Sequence, residues 1–349
     1  MHRFADAHTH AHLCDGGGII AVQKAIAAGV ERIVVCGTQP SDWDAVETLS
    51  SSSTPGAVFP QLGLHPYFVS AAGDVHVWAP LLLTRLRALR ERFPGVGVGE
   101  AGLDRSSHAL TTSPWNLQLA AFRAQVSIAA ELRMPLTIHC VRAHTVLVDE
   151  LKQMTTTLPT ALLLHSWAGS PRDAASLRSL GIPCVFSFSG GLIAAQKTVR
   201  DTAKARDTNS PLPIRLPGTT GKDALASLLA LSLHEIAFET DSPDQRFAHY
   251  LENHDTSTAS EIEGGGDSGH DISASASGCC SSTSSSSVMI VKRDNEPSML
   301  HHVIEAAARL RVGLGTDSGD DVTVTTEIAA LTVSSFDAVT RIFFRPQVL

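Results

Sequence analysis

The 349-residue chain is 43% hydrophobic but only 5% aromatic, which is enough apolar material for one large domain or two ordinary ones with a mainly aliphatic core. Its formal net charge is −8, and the sequence contains no long basic run. The overall field therefore excludes long-range attraction of a polyanion, and such a substrate would need bound cations or a local basic rim.

The spacing of the cysteines and the N-terminal residues bear on the cellular compartment of the protein. The six cysteines form no C-x-x-C pair, which favours free thiols in a reducing environment over a disulfide framework. The first strand is predicted from about residue 3, which leaves no room for a signal or transit peptide, and no apolar stretch approaches the roughly 18 residues of a membrane span. We therefore expect a cytoplasmic or nuclear protein that does not enter a membrane.

Eight short apolar runs alternate with helix-like stretches along the chain. Short apolar runs bounded by turn residues indicate strands buried on both faces, as in a parallel sheet. The alternation predicts an α/β fold, a (β/α)8 TIM barrel. After the first strand, the predicted strands are 32–36, 58–64, 96–99, 135–138, 161–164, 184–187 and 236–239. The predicted helices are about 19–28, 41–49, 81–93, 114–132, 144–154, 170–181, 223–232, 298–310 and 332–344.

Two segments interrupt this alternation. Residues 197–221 are polar and contain proline, and residues 252–294 are rich in Ser, Gly, Asp and Glu, above all between Glu252 and Ser287. Neither segment can bury enough apolar surface to offset the entropy of ordering the chain. We interpret both as insertions into a single barrel domain that spans residues 1–349, and we expect the second to be disordered.

The segment Asp6-Ala-His-Thr-His10 carries the first candidate metal ligands. Side chains two apart on a strand point to the same face, so His8 and His10 can aim at one ion. Asp6 has the same register and could orient one imidazole, a support that ligating histidines commonly need. An isolated His-x-His is a weak signal, because histidine serves many other purposes.

Four further ligand-type residues close predicted strands farther along the chain. In a parallel barrel the carboxyl ends of the strands share one rim, where this fold places its chemistry. We therefore expect six ligands to converge: His8, His10, Glu100, His139, His165 and Asp241. Six ligands exceed the needs of one four-coordinate zinc ion and suit two divalent cations, whether Mg, Mn or Zn.

Glu100 is the candidate bridge between the two cations, because it has two oxygens and stands between the two histidine pairs in chain order. Many two-metal barrels use a carbamylated lysine instead, but all six lysines here fall in predicted helices or insertions. Asp241 would complete the shell of the first cation and receive the proton of the attacking water. Two such cations can activate that water and clamp the attacking and leaving oxygens.

Eight motifs in the chain resemble those of the TatD family of metal-dependent deoxyribonucleases, within the amidohydrolase-like barrels. They span residues 4–297 and are Asp6-Ala-His-Thr-His10, Gly63-Leu-His-Pro66, Gly99-Glu-Ala-Gly-Leu-Asp104, Ile138-His-Cys-Val-Arg-Ala-His144, Leu164-His-Ser-Trp-Ala-Gly169, Phe188-Ser-Gly-Gly-Leu192, Glu239-Thr-Asp-Ser-Pro243 and Asn295-Glu-Pro297. The resemblance implies a (β/α)8-type barrel, divalent cations held by the same six ligands, and hydrolysis of DNA phosphodiesters, often from the 3′ side. It also implies a monomer.

The chain departs from the family pattern at two points. Arg105 stands where the family usually has an aromatic residue, which could alter how a nucleotide or phosphate is bound beside the metals. The insertion between Pro243 and Asn295 is also far longer than the family leads us to expect.

Six residues near the predicted rim are candidate substrate contacts, and each has a structural alternative. His65 could donate to a phosphate or be a hydrogen-bonded core residue. The others are Arg142 and His144, which could bind phosphate or form a surface salt bridge, Asp104 and Arg105, which could meet substrate or pair with each other, and Trp167, which could stack on a base or pack against the barrel mouth.

The leading hypothesis is a two-metal deoxyribonuclease of DNA degradation or repair, with 3′–5′ exonuclease and possible endonuclease activity and DNA as its substrate. The alternative is a metal-dependent small-molecule phosphoesterase or amidohydrolase, because barrels host many chemistries. The acidic net charge favours this alternative, and a glutamate bridge argues against it. A third possibility is a metal-containing scaffold whose Ser-rich insertion recruits partners.

Overall fold

The computed structural model describes residues 3–154, 158–190, 218–243, 248–249, 291–292, 297–313 and 321–343. The chain divides into two compact units, residues 1–246 with 294–349 and residues 247–293. In the smaller unit, β9 (Ala248–His249) pairs antiparallel with β10 (Val291–Lys292). The remainder of the predicted insertion at 252–294 lies outside the described residues, and the single-domain interpretation stays a prediction.

Eight parallel strands of the larger unit close into a barrel in chain order, which confirms the predicted (β/α)8 architecture. The strands are β1 (Phe4–Thr9), β2 (Val30–Cys36), β3 (Val58–Leu62), β4 (Gly97–Asp104), β5 (Leu136–Val141), β6 (Leu162–Leu164), β7 (Cys184–Phe188) and β8 (Ile236–Phe238).

Strand β4 is longer than predicted. The expected strand ended at Gly99, but β4 continues to Asp104 because Ala101 to Asp104 pair residue by residue with β5. Glu100 therefore lies within β4, not after it.

The helices surround the barrel. They are α1 (Ile19–Ala27), α2 (Trp43–Ser52), α3 (Val69–Ala72), α4 (Val75–Arg92), α5 (Ser107–Thr112), α6 (Trp115–Glu131), α7 (His144–Gln153), α8 (Pro171–Arg178), α9 (Gly218–Ala230), α10 (Leu300–Gly313) and α11 (Asp321–Phe343). Of the helices in the described part of the chain, none combines the length and apolar character needed to cross a bilayer.

Several helix boundaries differ from the sequence prediction. Helix α4 begins at Val75 instead of Leu81, because the Asp74 side chain accepts a hydrogen bond from the His76 backbone N–H and caps the first turn. Helix α11 begins at Asp321 instead of 332, and the short helices α3 and α5 were not predicted. The expected insertion at 197–221 ends earlier, since α9 begins at Gly218; residues 197–217 lie outside the described part.

A buried apolar layer joins the barrel wall to the last helix. Small and aliphatic side chains of β1 and β2, including Ala5, Ala7 and Val34, lie in one cluster with Phe336 and Val339 of α11. This layer fixes the strands from outside, so that their carboxyl ends are held in a constant position.

Two glycines allow the strand ends to approach closely at the mouth. A Cβ atom on Gly102 would lie 1.9 Å from the His139 carbonyl oxygen, and one on Gly63 would lie 2.6 Å from the Gly99 carbonyl carbon. Side chains at these positions would push β3, β4 and β5 apart. Glycine therefore lets the neighbouring strands β4 and β5 lie close enough for Glu100 and His139 to meet at the barrel mouth.

Candidate metal centre

The six predicted ligands converge at the carboxyl ends of the barrel strands. Strand β1 supplies His8, and His10 follows it directly; β4 and β5 supply Glu100 and His139, and His165 and Asp241 follow β6 and β8. All six are almost completely buried except the His139 side chain, which is 13% exposed. Ionisable groups so far from water need partners or an ion.

One group of donors surrounds Oε2 of Glu100. This oxygen lies 3.4 Å from His8 Nε2 and 3.2 Å from His10 Nε2, and the two nitrogens are 3.3 Å apart. Asp241 Oδ1 lies 3.4 and 3.7 Å from the same nitrogens. Two donors of a tetrahedral site with bonds of about 2.0–2.1 Å are about 3.3–3.4 Å apart, so this spacing fits a shared ion.

A second group surrounds the other oxygen of Glu100. Oε1 lies 3.0 Å from His139 Nδ1 and 3.1 Å from His165 Nε2, and those two nitrogens are 3.4 Å apart. The His8 and His165 rings stack at 4.0 Å, which places the two groups side by side. Each carboxylate oxygen of Glu100 thus faces its own pair of histidines.

The hydrogen bonds of three imidazoles leave a lone pair directed into the centre. His10 Nδ1 donates to the Cys36 carbonyl oxygen at 2.7 Å, and a carbonyl can only accept, so Nε2 is free to ligate. The remaining ring nitrogens of His165 and His139 face carboxylates, with His165 Nδ1 3.0 Å from Glu239 and His139 Nε2 3.2 Å from Asp104. Such partners orient ligating histidines and raise their basicity.

The charge state of the carboxylates also suits cations. Burial alone would raise the pKa of Glu100, but the imidazoles of His165, His65 and His8 outweigh it and hold this pKa well below its usual range. For Asp241, burial is likewise outweighed by His165 and His8, which lower its pKa to about 2. Both groups are therefore anionic at neutral pH.

Two buried atoms of the centre, His8 Nδ1 and Glu100 Oε1, have no hydrogen-bond partner among the described residues. Unsatisfied polar atoms in a native interior call for an ion or another explanation. Imidazole nitrogens and carboxylate oxygens together suit divalent cations such as Zn²⁺ or Mn²⁺. The residues present thus fit a metal centre.

The prediction that Asp6 orients an imidazole is wrong. Its carboxylate accepts hydrogen bonds from Thr240 N at 3.0 Å and Thr240 Oγ1 at 2.6 Å, and from the backbone N–H of His8 at 3.3 Å. None of these hydrogen bonds involves an imidazole nitrogen. Asp6 joins β1 to the segment after β8, which positions His8 and Asp241 through the backbone.

Sequence reasoning missed Glu239 as a positioning residue. Its carboxylate accepts from Ser166 N at 2.7 Å and from Ser187 Oγ, in addition to His165. The available signal was its spacing, because Glu239 stands two residues before Asp241 at the end of a buried strand. The partner is 74 residues away in the chain, which no local pattern reveals.

We expect Glu239→Gln to weaken divalent-cation binding by about 10–100-fold, because the amide is a poorer partner for His165. The measurement is a competition titration with a chromogenic chelator. Glu235→Gln is the matched control, since this buried glutamate lies at the opposite end of β8 and bonds Ser232 and Arg178. Equal affinities for the Glu239 variant and wild type would show that His165 needs no such support.

His65 lies beside the centre and has a defined tautomer. Its Nδ1 accepts from the Tyr67 backbone N–H at 3.2 Å, so the proton is on Nε2, which lies 3.6 Å from Glu100 Oε1. Burial lowers the pKa of His65 to about 3, with nearby His139 and His10 adding to the effect and Glu100 opposing it. His65 is therefore a neutral N–H donor facing the ligands.

The other candidate substrate contacts are divided between the mouth and the packing around it. Arg142 is exposed, and the Arg105 guanidinium lies 4.3 Å above the Trp115 ring. Asp104 accepts from Ser106 N and faces His139, so it serves the ligand shell.

Trp167 and His144 pack together instead of facing the opening. Trp167 is only 3% exposed, and its ring lies 4.8 Å from Phe186 and 5.0 Å from the half-buried His144. The packing alternative for Trp167 agrees with this placement, because almost none of the residue is exposed.

Fold and site define the class: a closed parallel (β/α)8 barrel with a histidine and carboxylate metal centre at its mouth. The chain matches the family described as TatD related DNase over residues 5–212 and belongs to that family. Together with the donor groups, this membership indicates use of divalent metal ions.

Sequence similarity to individual relatives supports membership of this family. The 3'-5' ssDNA/RNA exonuclease TatD of Yersinia pseudotuberculosis is 30% identical over 161 residues, 46% of this chain but only 58% of that relative's length. The uncharacterized metal-dependent hydrolase YjjV of Escherichia coli is 30% identical over 248 residues, 69% of this chain and 80% of that protein.

Solved structures show the same fold. The crystal structure of YjjV, a TatD homolog from Escherichia coli, superposes with a TM-score of 0.62 and 20% identity, covering 99% of each chain. A hydrolase TatD family protein from Entamoeba histolytica superposes with a TM-score of 0.61 and 15% identity, covering 98% of each chain.

Proposed function

We propose that the protein is a two-cation hydrolase of nucleic-acid phosphodiesters that removes nucleotides from the 3′ end of single strands. The observation that carries this proposal is the division of Glu100, whose Oε2 faces His8 and His10 while Oε1 faces His139 and His165. Family membership supports the substrate class, as does the name of the Yersinia relative, a 3'-5' ssDNA/RNA exonuclease.

The ligand residues would hold two cations side by side. His8, His10 and Asp241, with Oε2 of Glu100, would hold the first, and His139 and His165, with Oε1, the second. When bound, such cations activate a water and neutralise charge on the phosphodiester. The partners of the second ring nitrogens of His10, His139 and His165 keep the lone pairs of these imidazoles directed at these positions.

Two other side chains would act on the substrate itself. Asp241 is anionic and belongs to the first ligand group, so it can receive the proton of the attacking water. His65 can donate its Nε2–H to a nonbridging phosphate oxygen that approaches the centre. The cations would be Mg²⁺, Mn²⁺ or Zn²⁺.

The test uses metal-stripped protein with Mg²⁺, Mn²⁺ or Zn²⁺ added back separately. A 5′-labelled single-stranded DNA should be shortened to a ladder in a cation-dependent reaction, as should the matching RNA. Circular single-stranded DNA should resist, because it offers no 3′ end. Cleavage of the circle would reassign the enzyme as an endonuclease, and no cleavage of either strand with any cation would refute the proposal.

The small-molecule alternative keeps one supporting observation, the net charge of −8, which repels a polyanion. It predicts cation-dependent hydrolysis of bis(p-nitrophenyl) phosphate or of a simple amide without cleavage of DNA. The scaffold alternative predicts neither reaction. The same add-back experiment therefore separates the three functions.

Further expectations concern the biological role, the cellular location and the oligomeric state of the protein. A role in DNA degradation or repair, a cytoplasmic or nuclear location and a monomeric state stay predictions. Imaging of the tagged protein and light scattering would check the location and the monomer.

A further inference from the structure

Three exposed arginines follow the three consecutive strands that carry the second ligand group. Arg105 follows β4, Arg142 follows β5, and Arg172 lies in the first turn of α8, which comes after β6. The Arg105 backbone N–H donates to the Val141 carbonyl oxygen at 2.9 Å, so Arg105 and Arg142 begin from neighbouring backbone. We call these three residues the arginine arc.

Arginines elsewhere in the described chain mostly have an acidic or carbonyl partner. Arg123 binds Glu150 and Arg311 binds Glu327, for example, and Arg90 donates to the Leu132 carbonyl oxygen. None of the three arc residues makes an ion pair with a residue that the structure describes. Arg105 instead stacks on Trp115, which holds the guanidinium in place and leaves its charge unneutralised.

The adjacent sector of the mouth has a different charge. The described connections after β1, β2 and β3, residues 10–18, 37–42 and 63–74, contain no Lys or Arg and include Asp15 and Asp74. Among the described residues of the mouth, the basic side chains are thus concentrated on one sector. Arg172 also opposes the dipole at the N-terminus of its helix, a placement that stability alone does not favour.

We propose that the arginine arc is the path of the nucleic-acid strand, along which successive phosphates upstream of the scissile bond are bound. An arc over three strand ends is wider than a single phosphate needs, since neighbouring strands lie about 4.8 Å apart. It supplies the local basic rim that a protein of net charge −8 requires for a polyanion. This inference rests on the proposed function and names its substrate as a single strand.

The test compares Arg105→Gln, Arg142→Gln, Arg172→Gln and the triple variant with wild type. Binding of a labelled single-stranded phosphorothioate oligonucleotide, which keeps the backbone charge and resists cleavage, is measured by fluorescence anisotropy at several salt concentrations with the divalent cation present. The matched control is Arg133→Gln. Arg133 is exposed, makes no ion pair with a described residue and has a positive φ of 51° like the 53° of Arg142, but precedes β5 at the opposite end of the barrel.

We expect each single variant to reduce the slope of log binding constant against log salt by about 0.7, and the triple variant by about 2. At low salt the triple variant should bind roughly tenfold more weakly or worse. The ratio of its kcat/KM on single-stranded DNA to that on bis(p-nitrophenyl) phosphate should fall by a similar factor. Arg133→Gln should match wild type.

Wild-type affinity, salt slope and rate ratio in the triple variant would overturn the arginine arc. If the wild type cleaves DNA and the triple variant does so equally well, the arc fails while the nuclease assignment stands. If the strand binds through the arc but is not cleaved with any cation, the nuclease assignment fails and the arc stands. An equal loss of affinity in Arg133→Gln would show that the effect comes from the overall charge of the protein, and it would also refute the arginine arc.

Discussion

Glu100→Ala is expected to lower cation-dependent cleavage of single-stranded DNA by about a thousandfold or more, which corresponds to ~4 kcal/mol of transition-state stabilisation. The reason is that one side chain serves both ligand groups, through Oε2 on one side and Oε1 on the other. Its removal takes a donor from each cation position at once. The measurement is kcat/KM on a 5′-labelled oligonucleotide with saturating cation.

Two further variants make this result interpretable. Glu91→Ala removes an exposed glutamate of α4 and should match wild type. Glu100→Gln keeps the size but has a single oxygen, so it can serve one ligand group and not both. We expect it to be nearly as inactive as the alanine variant. Activity within tenfold of wild type in either Glu100 variant would contradict a bridging role.

Trp43→Ala is expected to lower the free energy of unfolding by about 3–5 kcal/mol, as is typical of deleting a buried aromatic side chain. Trp43 is 0% exposed, and its Nε1–H donates to the Gly63 carbonyl oxygen at 2.9 Å. The variant leaves a cavity and an unsatisfied carbonyl next to the strand end that delivers His65. Urea unfolding measures the change.

Val77→Ala is the control for the Trp43 experiment, because Val77 is 72% exposed. A surface substitution of this kind usually changes stability by no more than about 0.5 kcal/mol. If Trp43→Ala costs no more than that control, the packing between α2 and the end of β3 does not stabilise the barrel mouth.

The barrel could be predicted because its strands are short apolar runs that end in chemically distinctive residues. His139 and His165 each follow such a run, so the shared rim of a parallel barrel brings them together without any knowledge of distances. The same reasoning placed Glu100 near them. It ended the strand too early, because Gly99 resembled a strand terminus while the ladder with β5 continues to Asp104.

The orientation of the ligands could not be predicted in the same way. Asp6 has the register expected of an orienting carboxylate, yet the Thr240 hydroxyl and backbone N–H reach it first. Glu239 takes that role for His165 across 74 residues of chain. Which carboxylate meets which imidazole depends on the order of strands around the barrel, and spacing in sequence carries no information about it.

The prediction of helix starts was limited because local capping interactions decide where a helix begins. Asp74 caps α4, which begins six residues before the predicted start, at a point where Val77 and Leu81 are exposed and the apolar periodicity is weak. The prediction of substrate contacts was limited because the sequence does not reveal burial. Trp167 was a candidate for stacking on a base, but its ring packs against Phe186 and His144.

The shared Glu100 carboxylate is tested most directly by anomalous diffraction from crystals of the protein loaded with Mn²⁺, recorded at the manganese absorption edge. We expect two peaks on either side of the Glu100 carboxylate, one beside His8 and His10 and the other beside His139 and His165. A single peak, or peaks that do not contact Glu100, would contradict the shared carboxylate on which the proposed chemistry depends.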